Sequence, residues 1–328
     1  MATSNEFANN EILSALKDIL ILSSLAPVTI KERNYWFLRT QGGEYFDEFY
    51  MNDYVAIGWD DVPCLAESDR TEKIKDDLKD TKGYGQPTRV LNQVYRFCNE
   101  MKKDDIVIIP SSGSAKLAFG RLEDDNIYEY TVSEEELEEN KCPYKRRRKI
   151  NWLKSGRRNM IDPKLFSFFR NHQALANAND YSEFIERAIN PFYIKDNIAH
   201  LNLGVHIIKS PKATDIPYYI LGLTECTKNI SDTLNLPFEE PESRINVQSD
   251  GIIEFLGNIP TIFLIALTVV ALFGGEFQLA TFKFKTSGAL QTIIDAWTKY
   301  QTTKKLIPED KIKEIHQRLE IQDPRTKD

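Results

Sequence analysis

The feature that most constrains this chain is an uncharged stretch from Phe255 to Gly275, FLGNIPTIFLIALTVVALFGG. A bilayer-spanning helix needs about 20 mostly apolar residues, so the run is just long enough. Pro260 stands where a helix can begin and Gly274-Gly275 where one can end. Between Thr261 and Phe273 the segment is apolar on every side, which demands burial in lipid or in protein. The flanks do not suit a simple span. Arg244 is alone upstream, whereas Lys283, Lys285 and Lys299 follow, so the positive-inside tendency puts the C-terminal flank in the cytoplasm. The N-terminal half carries no recognisable signal peptide and is expected there too. A re-entrant hairpin, a subunit interface or a protein core would each resolve the conflict. Phe263, Leu264, Leu267 and Val270 are the residues expected to meet lipid or a second subunit. The expected location is a cytoplasmic N-terminal domain, with inner-membrane association through 255–275.

At 328 residues the chain has room for two domains, or three pieces. The net charge of −7 argues against a protein that coats nucleic acid generally, though local patches can outweigh the sum. Four cysteines, Cys64, Cys98, Cys142 and Cys226, include no CxxC pair, so a reducing compartment without a disulfide framework is expected. The pattern predicts an α+β chain in four parts. Residues 1–33 form a helical arm, with Ile12, Leu16 and Ile19 on one face of a helix over 9–24. Residues 34–160 form a small β-barrel with helices, and 161–237 a helical or mixed connection. After the FEEPES linker, 238–328 form a strand, apolar helix, strand and helix unit containing 255–275.

The second part is β-rich. Strands are expected in 34–40, 54–59, 102–113, 116–124, 126–132 and 146–153, with a polar helix over 69–82 and an amphipathic one over 88–101. Short strands separated by Gly, Asp or Ser turns suit a small barrel better than a parallel α/β sheet. An acidic cluster from Glu134 to Glu139 precedes a basic run from Lys141 to Arg158.

Several pieces occur in a telling order: Tyr35-Trp36-Phe37-Leu38-Arg39, Gly42-Gly43-Glu44-Tyr45-Phe46, Val55-Ala56-Ile57-Gly58-Trp59-Asp60, Gly85-Gln86, Lys103-Asp104-Asp105-Ile106-Val107, Ala118-Phe119-Gly120, Tyr128-Glu129-Tyr130, and Tyr144-Lys145-Arg146-Arg147 running into Ile150-Asn151-Trp152. Over about residues 34–153 this resembles the PUA-like, EVE-related domain at the N-terminus of some Mrr-type restriction endonucleases. One departure is Asp104, where such domains carry glycine. The resemblance implies a small barrel whose pocket holds a flipped-out, often modified base. Aromatic faces stack on bases for roughly 1–3 kcal/mol each, and a flipped base needs polar partners for its pairing edge. Trp36, Tyr45, Trp59 and Trp152 are candidate walls. Arg39, Glu44, Asp60 and Ser112, within the Ser111–Ser114 turn, are candidate polar readers. Lys145, Arg146, Arg147, Arg148, Arg157 and Arg158 are candidate phosphate contacts. The competing reading makes the aromatics core and the charges solvated faces.

No Asp followed by Glu/Gln-x-Lys, the magnesium-holding pattern of Mrr-type nucleases, can be placed in 160–328. His172, His200, His206 and His316 lack zinc spacing, and no phosphate loop of the Walker type is present. The expectation is therefore no catalysis, no cofactor and no metal. The reading is a reader of a modified base, nucleotide or nucleic acid, coupled to a membrane-associated or homo-oligomerising C-terminal unit in bacterial antiviral defence. Two alternatives are a DNA-targeting subunit whose nuclease lies on another chain, and a protein-binding scaffold.

Overall fold

The structure is a computed structural model that describes residues 4–69, 71–158, 161–170, 173–206, 211–247, 250–273, 288–303 and 305–325. It is a mixed α+β chain of two compact units. The first 31 residues carry α1 (Ser4–Leu22) and β1 (Val28–Thr29) and belong with residues 190–328; residues 32–189 form the other unit.

The 32–189 unit holds β2 (Tyr35–Leu38), α2 (Phe46–Met51), β3 (Tyr54–Ile57), α3 (Glu72–Asp80), α4 (Pro87–Tyr95), β4 (Ile106–Pro110), β5 (Lys116–Leu122), β6 (Tyr128–Glu129), α5 (Glu134–Glu138), β7 (Arg146–Arg157), β8 (Leu175–Asn177) and α6 (Ser182–Ile189). Its sheet runs β3-β7-β5-β4-β2-β8, with β6 on β7, and curls into a half-barrel. β2 and β4 are parallel and the other neighbours antiparallel, with a register shift at Phe119/Gly120. The strands read as unbroken apolar runs because both faces are covered. Trp36 and Leu38 join Phe49, Val55 and Ile150 on one side, while Tyr35 and Phe37 join Ile108, Phe119 and Ile185 on the other. Asp104 takes φ 69, the left-handed region that Asp and Asn enter most readily after glycine. Next to it, buried Asp105 accepts the Trp36 indole N–H at 2.8 Å and the amides of Asn34 and Lys102, both at 2.9 Å. Arg33 pairs with fully buried Glu186 at 2.5 Å, which also accepts the Tyr35 hydroxyl.

The other unit continues through β9 (Phe192–Lys195), β10 (Ile198–His206), α7 (Asp215–Leu234), β11 (Glu242–Val247), β12 (Asp250–Gly257), α8 (Ile259–Phe273), α9 (Gly288–Thr302) and α10 (Glu309–Arg318). Its sheet order is β1-β9-β10-β12-β11. The linker at 237/238 does not divide it, since β10 pairs with β12 across that point, Leu201 opposite Phe255. Nor is the N-terminal helix a separate arm: Ile12, Leu16, Ile19 and Leu20 are in the core of this unit.

The apolar stretch is corrected most. Phe255–Gly257 complete β12, and among the described residues of the stretch Ile259–Phe273 are helical. Fifteen residues reach about 22 Å, short of a hydrocarbon core of about 30 Å. Among the described residues no helix is long and apolar enough to cross a membrane. Phe263, Leu264, Leu267 and Val270 are all buried by the chain itself, in one core with α1, α7 and β10. Gly274-Gly275, the expected strand over 276–288, and Lys283 and Lys285 lie outside the described residues, as does His172.

Candidate functional site

In a flat sheet the C-terminal ends of β2 and β3 would sit at opposite edges, because β3 runs antiparallel to β7, and β7 runs parallel to β4 and β2. The curl brings them together. Tyr144, just ahead of β7, is the junction: its hydroxyl donates to Gln41 Oε1 at 3.3 Å, its ring meets Tyr45 edge-on at 5.5 Å, and it lies against Gly58. Burial pushes the Tyr144 phenol up to about 12, so it is a donor at neutral pH.

Two loops border this ring, and a third packs on the first. After β2, Thr40 Oγ1 donates to Pro110 O at 2.5 Å, anchoring the Gln41–Gly43 turn to the end of β4. Gln41, Gly42 and Gly43 have φ of 51, 68 and 102. A Cβ on Gly43 would stand 2.0 Å from Ser112 N, so only glycine lets this turn press against the Ser111–Ser114 loop. Gly113 and Ser114 there are also left-handed, at φ 60 and 54. After β3, Trp59 holds φ 63, a costly conformation for a bulky side chain. It is half-buried, packed on both the barrel core and the α3–α4 cluster. Asp60 accepts the amides of Lys145 and Arg146 at 3.2 and 3.3 Å, fixing the start of β7.

Tyr45, Trp59, Asp60 and Ser112 thus fall on adjoining loops, with exposed Glu44 on the first; burial, then the Glu44 charge, raises the Tyr45 phenol. Two expected walls lie elsewhere. Trp36 is 1% exposed in the core, its indole spent on Asp105. Trp152 packs its ring 5.5 Å from Tyr50 and donates to Phe49 O. Arg39 follows β2 half-buried, its amide donating to Ala174 O.

Three of the six expected phosphate contacts are turned inward. Arg146, Arg147 and Arg148 are 7%, 5% and 1% exposed and donate to main-chain carbonyls: Val62 O at 2.8 Å, Cys142 O at 3.1 Å and Phe97 O at 2.9 Å. Arg147 is also sandwiched between the rings of Tyr54 and Tyr130. These cations hold the barrel together. Lys145 and Arg157 are exposed, and Arg158 lies over Phe166 at 4.4 Å.

Sequence reading missed the cavity beside α4, of about 470 Å³. Arg89 and Arg96 line it with the amides Gln86, Asn92, Gln93 and Gln173. Residues 89, 92, 93 and 96 follow helical spacing, opposite buried Val90, Leu91 and Val94, so the polar stripe was present in the sequence. Gln93 is its fixed floor: its Oε1 accepts the amides of Ala174 at 2.5 Å and Leu175 at 3.1 Å. A Cys64–Cys98 disulfide, contrary to expectation, ties the loop after Trp59 to the end of this helix; cysteines 34 residues apart give no spacing signal.

His200 and His316 are structural. His200 bonds buried Glu254 at 2.9 Å and stacks on Tyr193; His316 stacks on Phe273 and bonds the Tyr219 hydroxyl. Among the described residues no group of three or more His, Cys, Asp or Glu is placed to hold a metal ion. In comparison with known proteins, residues 36–168 match a domain of unknown function (DUF8426). No curated protein and no solved structure matches the chain.

Proposed function

We propose that the 32–189 unit is a reader, without chemistry of its own, that takes a nucleobase of a nucleotide or nucleic acid against Trp59 and Tyr144. The observation that carries this reading is Trp59 itself. A bulky aromatic at φ 63, half-buried at a loop tip, costs about 1–3 kcal/mol, and such strain persists mainly where function holds it. Five more left-handed residues, Gln41, Gly42, Gly43, Gly113 and Ser114, lie on two loops that press together at Gly43 and Ser112, the first of them bonded to Tyr144 through Gln41, and support a shaped rim rather than a relaxed turn. The resemblance to PUA-like, EVE-related domains points the same way. Asp60 and Ser112 would meet the polar edge of the base.

Titration of the whole chain with plain and modified oligonucleotides and nucleotides, read by tryptophan fluorescence, tests this. Binding should quench emission, and Trp59→Ala should remove both the quench and the affinity while circular dichroism is kept. Tight binding by Trp59→Ala would place the ligand elsewhere; no binding by any probe would sink the reading.

A further inference from the structure

We infer that Lys116 and Arg157, at the shared end of β5 and β7, hold the nucleic-acid backbone that flanks the base read at Trp59, so that the ligand is a strand rather than a free nucleotide; the inference rests on the proposed base-binding role. Arg157 is a contact the sequence predicts, and the structure adds its neighbour. The ladder sets Lys116 directly opposite Arg157, which leaves their Cβ atoms roughly 5 Å apart on one face. Both residues are exposed, and among the described residues neither side chain has a hydrogen bond or an ion pair. Like charges in opposed positions weaken a sheet, and an anion between them reverses the sign. No Asp or Glu occurs in residues 106–122 or 141–161, so β4, β5 and β7 supply no such anion themselves. Edge protection explains one cation and not the other. Among the described residues the far end of β7 has a strand on one side alone, where a charge wards off stray pairing. Lys116 is bonded on both sides, to β7 and to Ser111, and has no edge to protect.

The pair continues the rim of the base site. Tyr144 bonds Gln41, the Gln41–Gly43 turn presses on Ser112, and Ser111 exchanges main-chain and side-chain bonds with Lys116. Just past Arg157, the amide of Arg158 donates to Ala115 O at 3.0 Å and closes the same loop against the end of β7. β2, β4 and β5 are successive neighbours in the sheet. At about 4.8 Å between strands, Lys116 stands about 10 Å along the rim from the turn that Tyr144 bonds. The cations are therefore placed for phosphates on either side of the base, which a strand carries and a mononucleotide lacks. A planar guanidinium beside an ammonium suits a phosphodiester, the first as a fork and the second as a point charge.

Titration of the whole chain across a range of salt tests this, with single strands of DNA and RNA about ten nucleotides long and with 5′-mononucleotides, read by tryptophan fluorescence and by the anisotropy of labelled strands. The better strand should bind at least tenfold tighter than any mononucleotide. Lys116→Gln/Arg157→Gln should erase that advantage and lower the salt slope for the strand by about 1.4, or about 0.7 for each lost contact. Its melting temperature and mononucleotide affinity should be kept, and either single change should lower the slope by about half as much. Lys102→Gln/Lys103→Gln removes the same charge from two exposed residues at the opposite end of β5, where Asp104 bonds Leu122, and should leave the slope near that of the parent. A parent-like slope in Lys116→Gln/Arg157→Gln, an equal drop in the control, or mononucleotides that bind as tightly as strands would overturn the backbone contact and leave the base reading to the quench at Trp59. Strand binding that needs Lys116 and Arg157 but survives in Trp59→Ala would keep the contact and remove the base reading. Binding by no probe removes both.

Discussion

The ring of Tyr144 rests on the main chain of Gly58, so that a Cβ there would stand 3.0 Å from its Cε1. Nothing larger than hydrogen fits without moving the ring. Gly58→Val should therefore displace Tyr144 from the rim and weaken nucleotide binding by about tenfold, while the melting temperature falls by a few degrees at most. Tyr144→Phe, which loses only the bond to Gln41, should bind nearly as the parent does. Fluorescence titration of both variants decides whether the ring's position matters. Equal affinity in Gly58→Val would remove Tyr144 from the site.

Arg148 is a structural cation. Its Nε donates to Phe97 O at 2.9 Å, Nη2 reaches Cys98 O at 3.4 Å, and burial pulls its pKa down. Truncation leaves buried carbonyls without donors, so Arg148→Ala should cost on the order of 3 kcal/mol. The salt dependence of nucleic-acid binding should not change. Exposed Arg157 should behave in the opposite way: Arg157→Gln leaves urea stability within about 0.5 kcal/mol. Denaturation and salt titrations of the two variants separate these roles.

Leu264 is fully buried in the middle of α8. Leu264→Ala should lower stability by roughly 2–5 kcal/mol, and Leu264→Lys, which buries an unpaired charge, should unfold the 190–328 region. A folded Leu264→Lys chain that has merely moved between membrane and supernatant fractions would show that lipid, not protein, covers the helix.

His316 gives a pH dependence. Burial between Phe273 and Tyr219 pulls its pKa down to about 4. The unfolded value is near 6.5, so below that pH the unfolded chain binds the extra proton first. Its contribution is complete above about pH 6.5 and is lost as pH falls toward 4, by on the order of 2–3 kcal/mol. Urea midpoints from pH 7.5 to 4.5 should fall more steeply for the parent than for His316→Phe, which keeps the stack but cannot titrate. Parallel slopes would mean the histidine is charged in the folded state.

What the sequence revealed was local. The β-branched and aromatic content of Tyr54–Ile57 and the Gly, Asp and Ser turns bounding Lys116–Leu122 marked strands, and the uncharged run around Leu264 announced total burial. What covers a buried face was not legible, because it depends on partners far along the chain: α8 is covered by α1 and α7, and β12 pairs with β10. Three consecutive arginines read as a solvated track because charge normally faces water. At Arg146–Arg148, the start of β7, all three side chains are buried, and each guanidinium reaches a carbonyl that no local pattern discloses. Trp36 looked like a cage wall because an indole in a strand suits cage and core equally. Tyr144 was hidden for the opposite reason, as a lone aromatic before a charged run whose role depends on the sheet's curl.

The parallel pairing of β1 with β9, Val28 opposite Tyr193, makes the 32–189 unit a guest inserted into a host. Within the guest, the Arg33–Glu186 ion pair clasps its two ends. On the ribosome, β1 and α1 emerge about half a chain before their partners. At roughly 5–20 residues per second, the host's first segment waits on the order of ten seconds with its apolar face uncovered. The guest has every residue it needs in one continuous stretch and can close first. Its clasped ends then hold the host's two segments together, shortening the loop that the β1–β9 pairing must close.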